Sequence, residues 1–410
     1  MQPEVEQLGL TIFLATFVIC ALLILCARLL PAISIRPTDL HARQAAHLRP
    51  TSRLGGVGVV GGLLLGLLVV AGDQRDTTIL LVIVSVLPVF AAGLAEDLGL
   101  RLKPAWRLVA AFIASFIALA LLGQWVVRSD IALLDMLLMV PVAGIFLTAL
   151  WGAGMCHAFN LIDGVNGLSS GAAILTALGL AFIAHKAGEP EIAFCSLLLV
   201  ASIFGFAIFN WPFGRLFLGD AGAYSIGHIL AWLGILLVVR APEVSVLAVA
   251  GVFFWPIADT CLAIYRRRRS GKRTDQPDRL HFHQIIMRAV EIKIIRRRHR
   301  QVSNPLTSVL LLPIIGLCIW SHCLFWNMPT GAAMLWAVQA ISFILLYAAV
   351  IHIARFPRKR RSPGVDSGRG QDDTLRLPRP SFAPCLSPVV AIVVAMSAAH
   401  PFRGCEDGKI

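Results

Sequence analysis

The sequence predicts an all-α, polytopic membrane protein with about eleven transmembrane helices. Three observations predict it. The chain of 410 residues is 57% hydrophobic and only 14% charged, whereas a soluble domain is nearer half apolar and a quarter charged. Apolar runs of about 20 residues, enough to cross a bilayer as a helix, recur from Leu8 to Ala354. Lys and Arg crowd alternate connections, the bias that orients membrane helices. A soluble protein with several buried helices has no need of so many runs of spanning length.

The runs are taken in order. The leader MQPEVEQ is acidic, so the first run, Leu10–Leu30, reads as a retained anchor rather than a cleaved signal. Further spans are expected at Gly55–Ala71, Thr78–Ala95, Leu108–Val127, Ile131–Trp151 and Leu168–Ala184. The remainder are Ile192–Phe209, Gly222–Val239, Val244–Tyr265, Leu306–Phe325 and Ala332–Ala354. Residues 1–355 form the membrane domain. Residues 356–410 read as a basic, Pro- and Gly-rich tail, largely disordered, with one short apolar piece at Ser387–Ala399. The nine cysteines are scattered without a CxxC pair, so neither a zinc site nor a disulfide framework is expected.

One set of connections holds Arg36, Arg43, Arg49, Arg53, Arg101, Lys103, Arg107, Arg215 and the basic stretch from Arg266 to Arg300. The opposite set holds Arg75, Arg128, Lys186 and Arg240. The first set is expected to face the cytoplasm, with the N-terminus outside and the chain in the plasma (inner) membrane. The net charge of +13 then reports topology and contact with membrane lipid, and no nucleic-acid partner is expected.

Polar residues are costly inside a membrane, so their placement is informative. The outer connections are short and plain. The inner ones read HARQAAHLRPTSRLGG, AEDLGLRLKPAWR, HAFNLIDGVNGLSSG, FNWPFGRLFLGDAGAYSIG and, within the longest, QPDRLHFHQIIMR. Taken singly, each has a plain reading. Asp163 and Asp220 would serve as helix caps, Glu96 and Asp97 as the wet end of a span, and the His-x-His pair as a solvated face. Together on one face, carboxylates beside cations and Gly-rich turns suit a polyphosphate held by Mg²⁺, with Mn²⁺ as an alternative. The loops therefore predict a phosphoryl-transfer site at the membrane surface. HAFNLIDGVNGLSSG is expected to form a turn that bends back over this site.

At NLIDGVNGL and RLFLGDAGAY, and less specifically at PTSRLGG and HFHQ, the sequence resembles the polytopic polyprenyl-phosphate N-acetylhexosamine-1-phosphate transferases. The resemblance runs from about Asp39 to Ala354, with all five inner loops in order. It implies that a UDP-N-acetyl sugar and undecaprenyl phosphate react with Mg²⁺ to give UMP and a polyprenyl-pyrophosphoryl sugar. Matched residue by residue, Asp97, Asp163 and Asp220 are the catalytic candidates, and Asp220 and Asp163 the metal ligands. Asp97 falls on the acid that positions or deprotonates the lipid phosphate. Substrate-binding candidates are His47, Arg53, Glu96, Asn160, Asn166, Phe217, Arg279, His281 and His283, with Phe217 placed against the uracil ring.

The chain departs from the family pattern at three points. Glu96 stands where an Asp is frequent, Asn166 replaces the second acid of the DGxDG pattern, and Gln284 ends HFHQ. With GDAGAY, these features look closer to the branch that starts O-antigen, capsule or related envelope glycolipids than to the peptidoglycan enzyme. Two rival readings are a non-catalytic scaffold in an envelope-polysaccharide complex and a transporter. Transporters carry their polar residues near the midplane rather than in surface loops. The sequence leaves the sugar, the lipid length and a homodimer open.

Overall fold

A computed structural model of the chain describes residues 2–29, 51–69, 77–269, 281–295 and 299–354. Among these there are helices and no strands. In chain order they are α1 (Gln2–Leu29), α2 (Gly55–Val69), α3 (Thr77–Leu98), α4 (Pro104–Leu122), α5 (Ala132–Leu138), α6 (Pro141–Ile162) and α7 (Leu168–Lys186). There follow α8 (Pro190–Asn210), α9 (Gly219–Arg240), α10 (Val246–Val252), α11 (Phe254–Arg269), α12 (Phe282–Lys293), α13 (Arg300–Leu324) and α14 (Pro329–Ile353). Helices suit this composition because each satisfies its backbone hydrogen bonds internally, which a hydrocarbon phase demands.

Among the described residues, nine helices are long and apolar enough to cross a membrane, and the pair α10 and α11 adds a bent candidate. The shorter apolar helix Gly55–Leu68 makes the eleventh, so each expected span has a counterpart. Two of them are broken. Where Ile131–Trp151 was expected as one span, the chain makes the short α5 and then α6. Pro141 starts α6 because it lacks an N–H and cannot continue a helix. As a result α6 runs on to Ile162 and absorbs HAFNLI, so only residues 163–167 of the expected turn are non-helical. Its His and Asn side chains sit at the helix end, which apolar periodicity cannot detect. The other is Val244–Tyr265, which breaks at Phe253 with a 75° bend. Pro256 then lies in the first turn of α11, where a missing N–H costs nothing. The fourth span also ends early, at Leu122, where Gly123 takes a left-handed φ of 66° and closes the helix on the Leu119 carbonyl.

The core lies around α9. Of its apolar window 94% is buried, against 22% for α1 and α14. α3 and α6 pack along α9 most extensively, while α2 and α4 reach it as well. Opposite charges fix its two ends. Asp97 of α3 accepts the N–H groups of Asp220 and Ala221 at 3.0 and 2.9 Å. At the far end Arg128 donates to the carbonyls of Val238, Ala241 and Val244 at 3.2, 3.2 and 2.5 Å. Each charge complements the dipole end it meets. The position of Asp220 is thus set by the most enclosed of the described spans. The tail 356–410, the piece Ser387–Ala399, His47 and Arg279 lie outside the described residues.

Candidate active site

The site is assembled from the start of α9. The segment before it runs alongside the end of PTSRLGG. Phe217 N–H donates to the Ser52 carbonyl at 2.9 Å, while Gly55 and Gly56 donate back to Phe217 and Leu218 at 2.9 and 2.8 Å. Gly219 follows with a φ of 75°. A Cβ there would collide with the Arg53 carbonyl and come within 2.5 Å of Asp97 Oδ2. The glycine lets two loops and a helix end meet at one point.

Asp220 opens α9 with its carboxylate shared between two arginines. Oδ1 accepts from Arg53 Nη2 at 3.0 Å and Oδ2 from Arg107 Nη1 at 2.7 Å. Arg53 Nε also lies 3.4 Å from Asp97 Oδ1. Both carboxylates are buried, at 7% exposed for Asp97 and 6% for Asp220. One helical turn into α9, Tyr224 meets the edge of the His157 ring at 5.1 Å.

The second wall is the turn 163–167. Asp163 ends α6 with its N–H donating to the Asn160 carbonyl at 3.3 Å, and its carboxylate has no hydrogen-bond partner among the described residues. Burial pushes its carboxyl up to about 7, Arg53 draws it down and Asp220 pushes it up. A cation between Asp163 and Asp220 would favour the ionised form. Gly164 packs directly against the His283 ring, which brings the HFHQ stretch onto the DG turn. The His281 and His283 rings stack at 5.8 Å. Burial lowers His283 to about 4, with His281 adding to the effect and Asp259 opposing it. His283 is therefore neutral near pH 7 and acts as a hydrogen-bonding group rather than as a cation.

The predicted residues separate into three groups. Arg53, Asp97, Asp163, Asp220, His281 and His283 converge on the ends of α3, α6, α9 and α12. Asn160 sits in the last turn of α6, and Phe217 lies half-buried beside the 51–56 segment. Glu96 turns away to accept the Leu102 N–H at 2.7 Å and so shapes the 99–103 loop. Asn166 is engaged by protein groups on three sides: Asn304 Oδ1, Ser308 Oγ and the Pro212 carbonyl. Asp97 also gives both its oxygens to the protein, to the Asp220 and Ala221 N–H groups at the head of α9.

Sequence reasoning missed Arg107, His157, Tyr224 and Asp259. Arg107 was counted only as a topology charge. Asp259, buried at 1% exposure, lies inside an expected span, which is itself a signal of function. Its Oδ2 lies 3.1 Å from His281 Nδ1 and its Oδ1 accepts the Phe282 N–H at 3.1 Å. Asp259 thus fixes both the ring and the start of α12. Asp259→Ala is expected to lower turnover about 10- to 100-fold by freeing the His281 ring, the usual cost of removing an orienting carboxylate. Steady-state rates beside those of His281→Ala check this, because a shared role makes the double variant no worse than the poorer single.

Among the described residues no three His, Cys, Asp or Glu side chains form a ready cation cage. Magnesium needs none when a substrate supplies phosphate oxygens, since one or two carboxylates with water complete its shell. Asp163 and Asp220 are hard oxygen donors, Asp220 lying near enough to act on the Asp163 carboxyl, and Arg53 and Arg107 supply planar donors for phosphate. The arrangement suits a polyphosphate with a divalent cation.

Residues 79–238, which contain Asp97, Asp163 and Asp220, match the model of glycosyl transferase family 4. A protein of Bacillus subtilis (strain 168), named probable undecaprenyl-phosphate N-acetylglucosaminyl 1-phosphate transferase, is 26% identical over 326 residues, 77% of this chain and 83% of its own. The decaprenyl-phosphate N-acetylglucosaminephosphotransferase of Mycobacterium tuberculosis (strain ATCC 25618 / H37Rv) is 27% identical over 368 residues, 82% of this chain and 86% of its own. The undecaprenyl-phosphate alpha-N-acetylglucosaminyl 1-phosphate transferase of Escherichia coli (strain K12) is 32% identical over 188 residues, 44% of this chain and 49% of its own.

Proposed function

We propose that this chain, which belongs to glycosyl transferase family 4, transfers an N-acetylhexosamine 1-phosphate from a UDP-sugar to undecaprenyl phosphate and releases UMP. The observation that carries this reading is the sharing of Asp220 between Arg53 and Arg107 at the head of the most buried of the described spans, with Arg53 and Asp220 near enough to act on the Asp163 carboxyl. In the reaction an oxygen of the lipid phosphate forms a bond to the β-phosphorus of the UDP-sugar. The bond from that phosphorus to the bridging oxygen breaks, and UMP leaves with the oxygen and its electron pair. The attacking phosphate is already anionic near neutral pH, so no base is required. This agrees with Asp97 being bound to backbone N–H groups.

Mg²⁺, when bound by Asp163 and Asp220, would neutralise the charge that develops on the phosphoryl oxygens. Arg53 and Arg107 orient the pyrophosphate, and the stacked His281 and His283 offer ring nitrogens to phosphate or sugar. The basic bias of the inner loops supports a site on the cytoplasmic face of the inner membrane, with the N-terminus outside. There the lipid acceptor and the nucleotide donor can meet. The motif likeness supports a first membrane step in O-antigen, capsule or related envelope-polysaccharide synthesis.

The test uses purified full-length protein in detergent with undecaprenyl phosphate, Mg²⁺ and a panel of UDP-N-acetylhexosamines, following UMP release. Release with one donor, abolished by chelation and restored by Mg²⁺ or Mn²⁺, is expected. Donor binding without UMP release would support the scaffold reading instead. Asp163→Asn is expected to insert into the membrane normally and to lose turnover. Full activity in that variant would remove Asp163 from the site.

A further inference from the structure

We infer that the middle of the bundle contains a water-binding site, built by His228 and Trp232 of α9, Ser115 of α4 and the bare backbone of Gly152 in α6. The inference goes beyond the transferase reading and does not depend on it. Its first signal is in the sequence. Asp220, Tyr224, His228 and Trp232 follow one another four residues apart, so they share one slowly drifting face of α9. The first two belong to the candidate active site. The other two carry polar ring nitrogens into the interior of a span, where polar groups are costly and mark function.

His228, Trp232 and Ser115 are all at 0% exposure. Their hydrogen-bonding capacity can be followed atom by atom. The Ser85 hydroxyl donates its one proton to the Val82 carbonyl at 2.7 Å, so at 2.9 Å from His228 Nε2 it accepts. That places the imidazole proton on Nε2 and leaves Nδ1 as an acceptor. Nδ1 meets no donor among the described residues. The Trp232 indole N–H meets no acceptor there, and Ser115 Oγ meets neither.

Gly152 brings two of these atoms to one point. A Cβ on Gly152 would stand 2.5 Å from Ser115 Oγ and 3.3 Å from Trp232 Nε1. Only a residue with no side chain leaves the approach to both open. The His228 ring lies beside the Trp232 ring, with centroids 6.3 Å apart. The ligand that fits must accept from an indole N–H and also donate to a ring nitrogen. A cation cannot accept, and an anion without a proton cannot donate. Water does both, and a buried water makes about three hydrogen bonds to groups that are otherwise unpaired. It would tie α9 to α4 and α6 about three turns below the point where Asp97 ties the head of α9 to α3.

The experiment exposes full-length protein in detergent to brief X-ray radiolysis in ¹⁸O-water and reads side-chain oxidation by mass spectrometry. Hydroxyl radicals form from water and react where they form, so a buried ring is labelled only beside a water. Trp232 is expected to take up label, while Phe159 and Phe253, also at 0% exposure, do not. Ser115→Ala is expected to cut the Trp232 label severalfold. It should also lower the thermal midpoint by about 1–3 °C, because the water loses one partner and its other partners are left short. If the hydroxyl were simply unpaired, its removal would relieve a desolvation cost and raise the midpoint. Gly152→Ala sets a methyl against both atoms and should abolish the label. Should that variant fail to fold, Ser115→Ala decides alone. Trp232 as unreactive as the two phenylalanines, or a midpoint that holds or rises in Ser115→Ala, would overturn the inference.

Discussion

Asp220→Asn is expected to give a protein that inserts and folds but whose UMP release falls about a thousandfold or more, the scale on which a metal-binding charge contributes to phosphoryl transfer. Asn preserves the volume and one acceptor. It removes the negative charge that two guanidiniums share at 3.0 and 2.7 Å and that a cation would require. The arginine side chains are 34% and 21% exposed, so water retains access to them and the loss of stability should be modest. Rate and thermal midpoint measured on one preparation separate the two effects. A rate within about tenfold of the starting protein would exclude Asp220 from metal binding, since Asp163 alone would then suffice.

How much of this was legible in the sequence depends on which physical signal a residue leaves there. Spans were legible because hydrocarbon demands about 20 apolar residues in a row, and each expected run has a helical counterpart. Helix ends were less so. His157 and Asn160 look like loop residues by polarity, yet they lie in the last turns of α6, because a helix end at the membrane surface accepts polar side chains. Asp163 and Asp220 were legible through their Gly-flanked motifs. Asp259 left one signal, a charge inside an expected span, but its role was not legible, since its partner His281 is 22 residues away and no local pattern links them. Arg107 meets Asp220 across 113 residues, and only the packing of α4 near α9 brings them together. Glu96 and Asp97 are adjacent in sequence, yet one shapes a loop and the other caps a helix. Which way each side chain points is decided by tertiary contacts.

Gly219→Ala carries the second large effect and separates two roles for Asp97. The residue holds a φ of 75°, which costs a residue with a Cβ about 1–2 kcal/mol before any contact is made. The added carbon would also strike the Arg53 carbonyl and press on Asp97 Oδ2. Neither neighbour can give way cheaply, because one is backbone and the other is held by two N–H groups. The head of α9 must therefore shift, carrying Asp220 with it. A displacement of about 1 Å at a phosphoryl-transfer site costs about 100-fold in rate. Gly219→Ala should thus lose that much turnover together with several degrees of thermal midpoint. Asp97→Asn should act through the same joint, since an amide can accept one of the two N–H groups but not both. If Asp97 is a cap, the two substitutions together cost little more than the worse one, and the pH profile of kcat keeps its shape in Asp97→Asn. If Asp97 instead removes a proton during transfer, Asp97→Asn alone would erase a limb of that profile while Gly219→Ala would preserve it.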